Sequence, residues 1–250
     1  MTGGIAGGAL MSGTMGGGGS TQPTVTPTPT VTQQAGEVSP TAEPLQVKTY
    51  SNPPEMTIDT SKQYSAVIET KKGDIRLELF ADEAPQAVNN FVFLARDGFY
   101  DGLTFWFVDP ERAAQAGDPT CTMSAAITCS GEDGPGYTLP KEENGLSHDA
   151  GVVAMAEETE TYVTNGSQFF IALQDLSQLD ELKEHHNTVF GQVADEDSMD
   201  VVRSLTARGW RDPNAPPGDE ILSVTIEGPE ETPTPTETIE GAEETPTPTE

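Results

Sequence analysis

The stretch Asn165-Gly166-Ser167-Gln168-Phe169-Phe170-Ile171 constrains this chain more than any other. A polar turn runs directly into two adjacent aromatics and a β-branched residue. That is the pattern of a loop feeding a strand buried on at least one face. Successive strand side chains point to opposite faces, so one phenylalanine enters a core while the other lines a cleft. Gln168 sits beside the apolar pair, where its amide can hydrogen-bond a peptide backbone. Taken alone, the stretch is as readily a plain β-strand with a satisfied Gln.

The two ends of the chain set the limits of the folded part. Residues 1–45 are rich in Gly, Thr, Pro and Ser, with a short Thr-Pro repeat at Thr26-Pro27-Thr28-Pro29-Thr30. From residue 229 the sequence becomes acidic and Thr/Pro-rich, and Glu243 to Glu250 repeats Glu230 to Glu237. Neither end can bury enough apolar area to offset chain entropy, so both read as disordered: an N-terminal stalk and an acidic tail. The first twenty residues have a weak apolar centre, Ile5 to Met11, without Lys or Arg. They read either as the remnant of an export signal or as flexible linker. Residues 46–63 form a transition, and 64–228 the single globular domain.

Twelve Lys and Arg against 41 Asp and Glu give a formal net charge of −29. This argues against nucleic-acid binding, which needs clustered cations for phosphate, and against adhesion to anionic lipid. There is no apolar run of membrane-spanning length. His148, His185 and His186 make no metal-ligand pattern and read as surface residues, so neither metal nor cofactor is expected.

Within the domain, Tyr64 to Thr70 and the alternating Ile75, Leu77 and Leu79 form a hairpin around Lys71-Lys72-Gly73. Pro85 to Asp97 reads as a helix, with proline at its start and Gly98 just past its end. Its apolar face carries Ala84, Val88, Phe91, Val92 and Ala95, and Asn89 and Asn90 face away. Phe99 to Val108, Val152 to Ala156, Phe169 to Leu173 and Val189 to Val193 read as strands. Met199 to Arg208 reads as a second helix. Leu222, Val224 and Ile226 alternate as the closing strand.

Several stretches in this order resemble the cyclophilin family of peptidyl-prolyl isomerases. They are Gly73-Asp74-Ile75, Glu78-Leu79-Phe80, Ala84-Pro85, Val88 to Phe91, Gly98 to Phe105, Gln115 with Gly117-Asp118-Pro119, Gly134-Pro135-Gly136-Tyr137, Asn165 to Ile171 and Thr188 to Gly191. The resemblance covers about Tyr64 to Gly228 and implies a mainly β fold, a closed eight-stranded antiparallel barrel capped by two α-helices. It implies proline isomerisation and help in protein folding, with proline-containing peptides or unfolded proteins as partners. A monomer is expected.

By the same resemblance Gln115 and Gln168 are catalytic. Phe170, Leu179, Arg112, Ala113, Ala156, Glu157 and Asn187 line the peptide site. The family's catalytic arginine position holds Phe107, which offers neither charge nor N–H. Three readings follow: an isomerase of reduced activity, a non-catalytic proline-peptide-binding module on the same scaffold, or a cyclophilin fold that retains no ligand. Arg112 and Ala113 stand where the family has a pocket aromatic and a Met. Acids at Glu157, Glu158 and Glu160 should favour basic peptides.

A turn between Pro119 and Gly134 is longer here than in the family and carries Cys121 and Cys129, the only two cysteines. A disulfide between them would restrain it, contributing roughly 2–3 kcal/mol by the chain-entropy estimate. Such a bond persists in an oxidising compartment, and with the stalk it suggests an extracytoplasmic protein.

Overall fold

A computed structural model describes residues 48–123, 129, 131–158, 163–177, 187–209 and 214–229. The stalk and nearly all of the acidic tail lie outside these residues, as do Gln178, Leu179, Glu160, His185 and His186.

Among the described residues are ten strands and two helices. In chain order they are β1 (Tyr64–Thr70), β2 (Gly73–Leu79), α1 (Pro85–Arg96), β3 (Thr104–Phe105), β4 (Phe107–Asp109), β5 (Ala113–Ala116), β6 (Thr138–Leu139), β7 (Val152–Glu157), β8 (Thr164–Ala172), β9 (Val189–Val193), α2 (Glu196–Ser204) and β10 (Asp219–Glu227). All of the strand pairs are antiparallel. The sheet runs β3-β10-β1-β2-β9-β7-β8-β5-β4, with β6 added beside β8. Its two ends, β3 and β4, are one stretch of chain broken at Trp106, so the sheet returns to where it began. Counted that way, the path around the barrel has the expected eight members. No helix among the described residues is long and apolar enough to cross a membrane.

The interior is filled from alternate positions. Ala66 and Ile68 of β1, Ile75 and Leu77 of β2, Val153 and Met155 of β7, and Phe169 and Ile171 of β8 are wholly buried in one cluster. Helix α1 adds Val88, Phe91, Val92 and Leu94 to it. Phe91 meets Phe169 edge to face at 5.6 Å and packs on Tyr100 at 5.2 Å. The first turn of α1 has no acid of its own. Glu142, far along the chain, accepts from the N–H groups of Gln86 and Ala87 at 2.9 Å each, filling the role of an N-terminal cap.

Several expected elements differ. The Asn-Gly-Ser-Gln turn is itself part of β8, whose nine residues are all buried. Asn89 and Asn90 do not face away from the core: they are 2% and 1% exposed. Each answers backbone groups that would otherwise be orphaned. Asn89 Oδ1 accepts from Thr57 N and Ile58 N, and its Nδ2 donates to Glu55 O, so it fastens the transition segment to the domain. Tyr50 fastens the same segment further back, packing on Phe93, Phe99 and Tyr137.

Helix α2 starts earlier than the apolar spacing suggests, because Asp195 caps it by accepting from Ser198 N at 2.7 Å. It also stops earlier: Arg208 has left the helix to exchange backbone hydrogen bonds with Val108. In β10 the ladder shifts where Thr70 faces Ile221 and Glu69 faces Ser223. Leu222 is the extra residue of this bulge and points outward, 43% exposed. Ile221 and Val224 are therefore core residues with Ile226 packed against them, and of the expected run only Leu222 leaves the core.

Candidate functional site

The outer face of the β4-β5-β8-β7-β9 wall carries the candidate residues. Cross-strand partners share a face. The register pairs Phe107 with Gln115, Gln115 with Phe170, Phe170 with Ala154, and Ala154 with Val189. One continuous row thus crosses four strand boundaries. Ala113, Ala154, Phe170 and Val189 form a second apolar cluster, distinct from the barrel interior, with Phe80, Leu146, Val152 and Leu176 against it.

Gln168 is two residues before Phe170 on the same face and diagonal to Gln115. Gln115 Nε2 donates to Gln168 Oε1 at 3.0 Å. Gln168 Nε2 donates to the carbonyls of Gly131 at 3.0 Å and Asp133 at 2.7 Å. Gln168 is 2% exposed, whereas Gln115 is half-buried. The strand beneath is fixed from the core. Asn90 Nδ2 donates to Gly166 O at 2.7 Å, Tyr100 Oη to Ser167 O at 3.3 Å, and Ser167 Oγ to Gly117 O at 2.7 Å. Tyr137 Oη donates to Asn90 Oδ1 at 2.6 Å. Burial pushes the Tyr100 and Tyr137 hydroxyls up, so both remain protonated donors.

Phe170 keeps 8% of its surface exposed. His148 lies against its ring, nearly parallel, at a centroid distance of 6.3 Å. His148 is not a surface residue: it is 1% exposed and backs the floor of the cleft. Sequence patterning had no means of finding it, because a loop histidine carries no periodicity.

The other expected residues separate. Ala113 joins Phe170 in the outer cluster, and Ala156 is buried at an irregularity in β7. Arg112 is exposed in the β4–β5 turn. That turn is about 10 Å along the hairpin from the Phe107–Gln115 row at roughly 3.3 Å per strand residue. Glu157 pairs with Lys141 at 2.9 Å, which offsets the charge expected to draw basic peptides. Asn187 Nδ2 donates to Met155 O at 3.0 Å and ties the approach to β9 onto β7. Leu179 lies outside the described residues.

Cys121 and Cys129 are joined in a disulfide, with Cα atoms 4.6 Å apart. Asp118 is wholly buried beside them. Its Oδ1 accepts from Thr120 N and Oγ1, and its Oδ2 from Asp133 N. Burial pushes its carboxyl up, against these hydrogen bonds, which pull it down; the nearby Asp133 adds to the rise. A cation is poorly served by this trio, because sulfurs joined to each other offer no thiolate.

A barrel with an outward Gln–Gln–Phe wall and a core-locked Asn-Gly-Ser-Gln strand is matched by one family model, that of the cyclophilin type peptidyl-prolyl cis-trans isomerases, over residues 65–226. The chain belongs to this family. A Synechococcus elongatus protein named peptidyl-prolyl cis-trans isomerase is 44% identical over 161 residues, covering 64% of this chain and 94% of that protein. The crystal structure of a Cryptosporidium parvum cyclophilin type peptidyl-prolyl cis-trans isomerase matches with a TM-score of 0.55 at 26% identity, over 67% of this chain and 99% of that one. A second structure of that cyclophilin, in the presence of the dipeptide Ala-Pro, gives 0.54 at 27% identity over 65% and 98%.

Proposed function

We propose that this chain isomerises X-Pro peptide bonds in peptides or unfolded proteins at a reduced rate. The row Phe107–Gln115–Phe170 carries the reading. Rotation about a peptide bond meets a barrier of about 18–20 kcal/mol from amide resonance. An isomerase holds the proline against an apolar surface, fixes the flanking backbone and favours the twisted amide, whose nitrogen is more basic. Phe170 supplies the apolar surface. Gln115, oriented by Gln168, supplies a carboxamide to the peptide backbone. Neither covalent chemistry nor a cofactor enters. Phe107 contributes surface but no hydrogen for the amide nitrogen, and Arg112 stands in the exposed β4–β5 turn rather than in the row.

The same substitution favours a second reading, a proline-peptide-binding module without turnover. The two part in an NMR titration with a short X-Pro peptide. Both give shift changes at Gln115, Gln168 and Phe170. Only the enzyme also accelerates cis–trans exchange, and Gln115→Ala removes the acceleration. Shift changes without acceleration would leave the binder.

The compartment proposed is extracytoplasmic. Its support is the Cys121–Cys129 bond, which a reducing cytosol would not preserve. Thiol titration of protein taken from its native compartment should find no free thiol; two free thiols per chain would overturn the assignment.

A further inference from the structure

The Cys121–Cys129 bond closes a loop that leads directly into the segment whose backbone meets Gln168. Upstream, Cys121 is completely buried and its carbonyl accepts from Thr104 N at 2.8 Å and Thr104 Oγ1 at 3.0 Å, which ties it to β3. Downstream, Gly131 lies two residues past Cys129 with φ +73°. A Cβ there would lie 2.3 Å from the Trp106 ring, so only glycine lets the chain pass beneath the indole. Here the chain turns its carbonyls inward. Gly131 O and Asp133 O both accept from Gln168 Nε2, while Asp133 N is held by Asp118 Oδ2 at 3.2 Å.

A carboxamide has a donor end and an acceptor end. Two carbonyls from the segment just past Cys129 claim the donor end of Gln168, so its Oε1 must face Gln115 Nε2. Turned over, Gln168 would set N–H against N–H, and Gln115 would lose its partner. This segment therefore fixes the orientation of the Gln168 carboxamide and, through it, that of Gln115.

We propose that the Cys121–Cys129 disulfide is a positioning device for the peptide-binding cleft, holding the Gly131 and Asp133 carbonyls that orient Gln168 and, through it, Gln115. The proposal rests on the reading that Gln115 contacts the peptide. Reduction by a dithiol breaks the S–S bond. The two sulfurs take up two electrons and two protons, and the reductant closes to its own disulfide. The loop then regains the conformations that the bond removed, and the carbonyls lose their fixed place. An isomerase of this construction has its cleft set only where thiols are oxidised.

The test uses the full 15N-labelled chain, oxidised and after dithiothreitol, with the side-chain amide resonances of Gln115 and Gln168 assigned by substitution. Reduction should shift or broaden both amide pairs and weaken binding of a short Ala-Pro peptide by roughly five- to tenfold, the loss of about one net hydrogen bond. The core amides of β1 and β2 should stay in place. The double variant Cys121→Ser/Cys129→Ser should give the reduced-state spectrum with or without reductant. Unmoved Gln115 and Gln168 amides in the reduced, folded protein would overturn the proposal. So would global unfolding on reduction, which would make the bond a structural staple, or a dithiothreitol response that survives in the double variant. Peptide that fails to bind in either state counts against the functional reading alone, since the amide resonances decide the positioning claim without it.

Discussion

Phe107 and Gln115 face each other across one rung of the β4–β5 hairpin, and their chemistry decides what the cleft can do. Gln115 presents a carboxamide and Phe107 an unreactive ring. Loss of one transition-state donor typically costs 10²–10³ in rate. Turnover of the wild type should therefore fall short of a cyclophilin with the arginine by about that factor. Phe107→Arg places a guanidinium on the same face as Gln115 and should recover part of it, measured as the catalysed exchange rate. Gln115, Gln168 and Phe170 were legible in the sequence because the motif that carries them is contiguous or nearly so. His148 was not, since it meets Phe170 from a loop that carries no periodicity. Arg112 lies in the exposed β4–β5 turn, outside the cross-strand row that carries Phe107 and Gln115. Counting along a chain gives spacing, whereas a hairpin turn decides which residues leave the face.

The strand β8 depends on partners that no periodicity predicts. Asn90 serves both Tyr137 Oη and Gly166 O from inside α1. Asn90→Ala leaves both buried groups unpaired and should destabilise the domain by about 1–3 kcal/mol in urea melts. An unchanged midpoint and slope would mean that these groups find other partners. Glu142→Ala removes the carboxylate from the N-terminus of α1 and should cost about 0.5–2 kcal/mol, read the same way. The bounds of α1 were legible because Pro85 and the residue after Asp97 punctuate it; Gly98 has φ +64°, which favours glycine. The bounds of α2 were blurred: Asp195 caps it from outside the apolar run, and the need to pair Arg208 with Val108 ends it. The Leu222 bulge shows why strand parity fails locally, since one extra residue exchanges the faces beyond it.

At the scale of the molecule, the barrel was legible because alternation and the collinear motifs both pointed to it, while closure through a strand broken at Trp106 was not. The folded domain also begins earlier than the motifs, at the segment pinned by Tyr50 and Asn89. Stability should carry a pH signature from Asp118. Its folded carboxyl lies above the usual 3.8. The folded state therefore holds the proton more tightly than the unfolded chain, and the stability from this group is lost as pH rises through the raised value. The stability difference between wild type and Asp118→Asn should move in favour of wild type as pH falls across that interval toward 3.8, measured by urea melts at paired pH values. Movement the other way would mean that the hydrogen bonds outweigh burial. The central claim, that this cleft isomerises proline bonds but is weakened at Phe107, is tested most directly by NMR exchange spectroscopy on an X-Pro peptide with the purified oxidised protein. The wild type should accelerate exchange measurably, and Phe107→Arg should do so more strongly. No acceleration by the wild type, or a wild-type rate equal to that of a cyclophilin with the arginine in place, would contradict it.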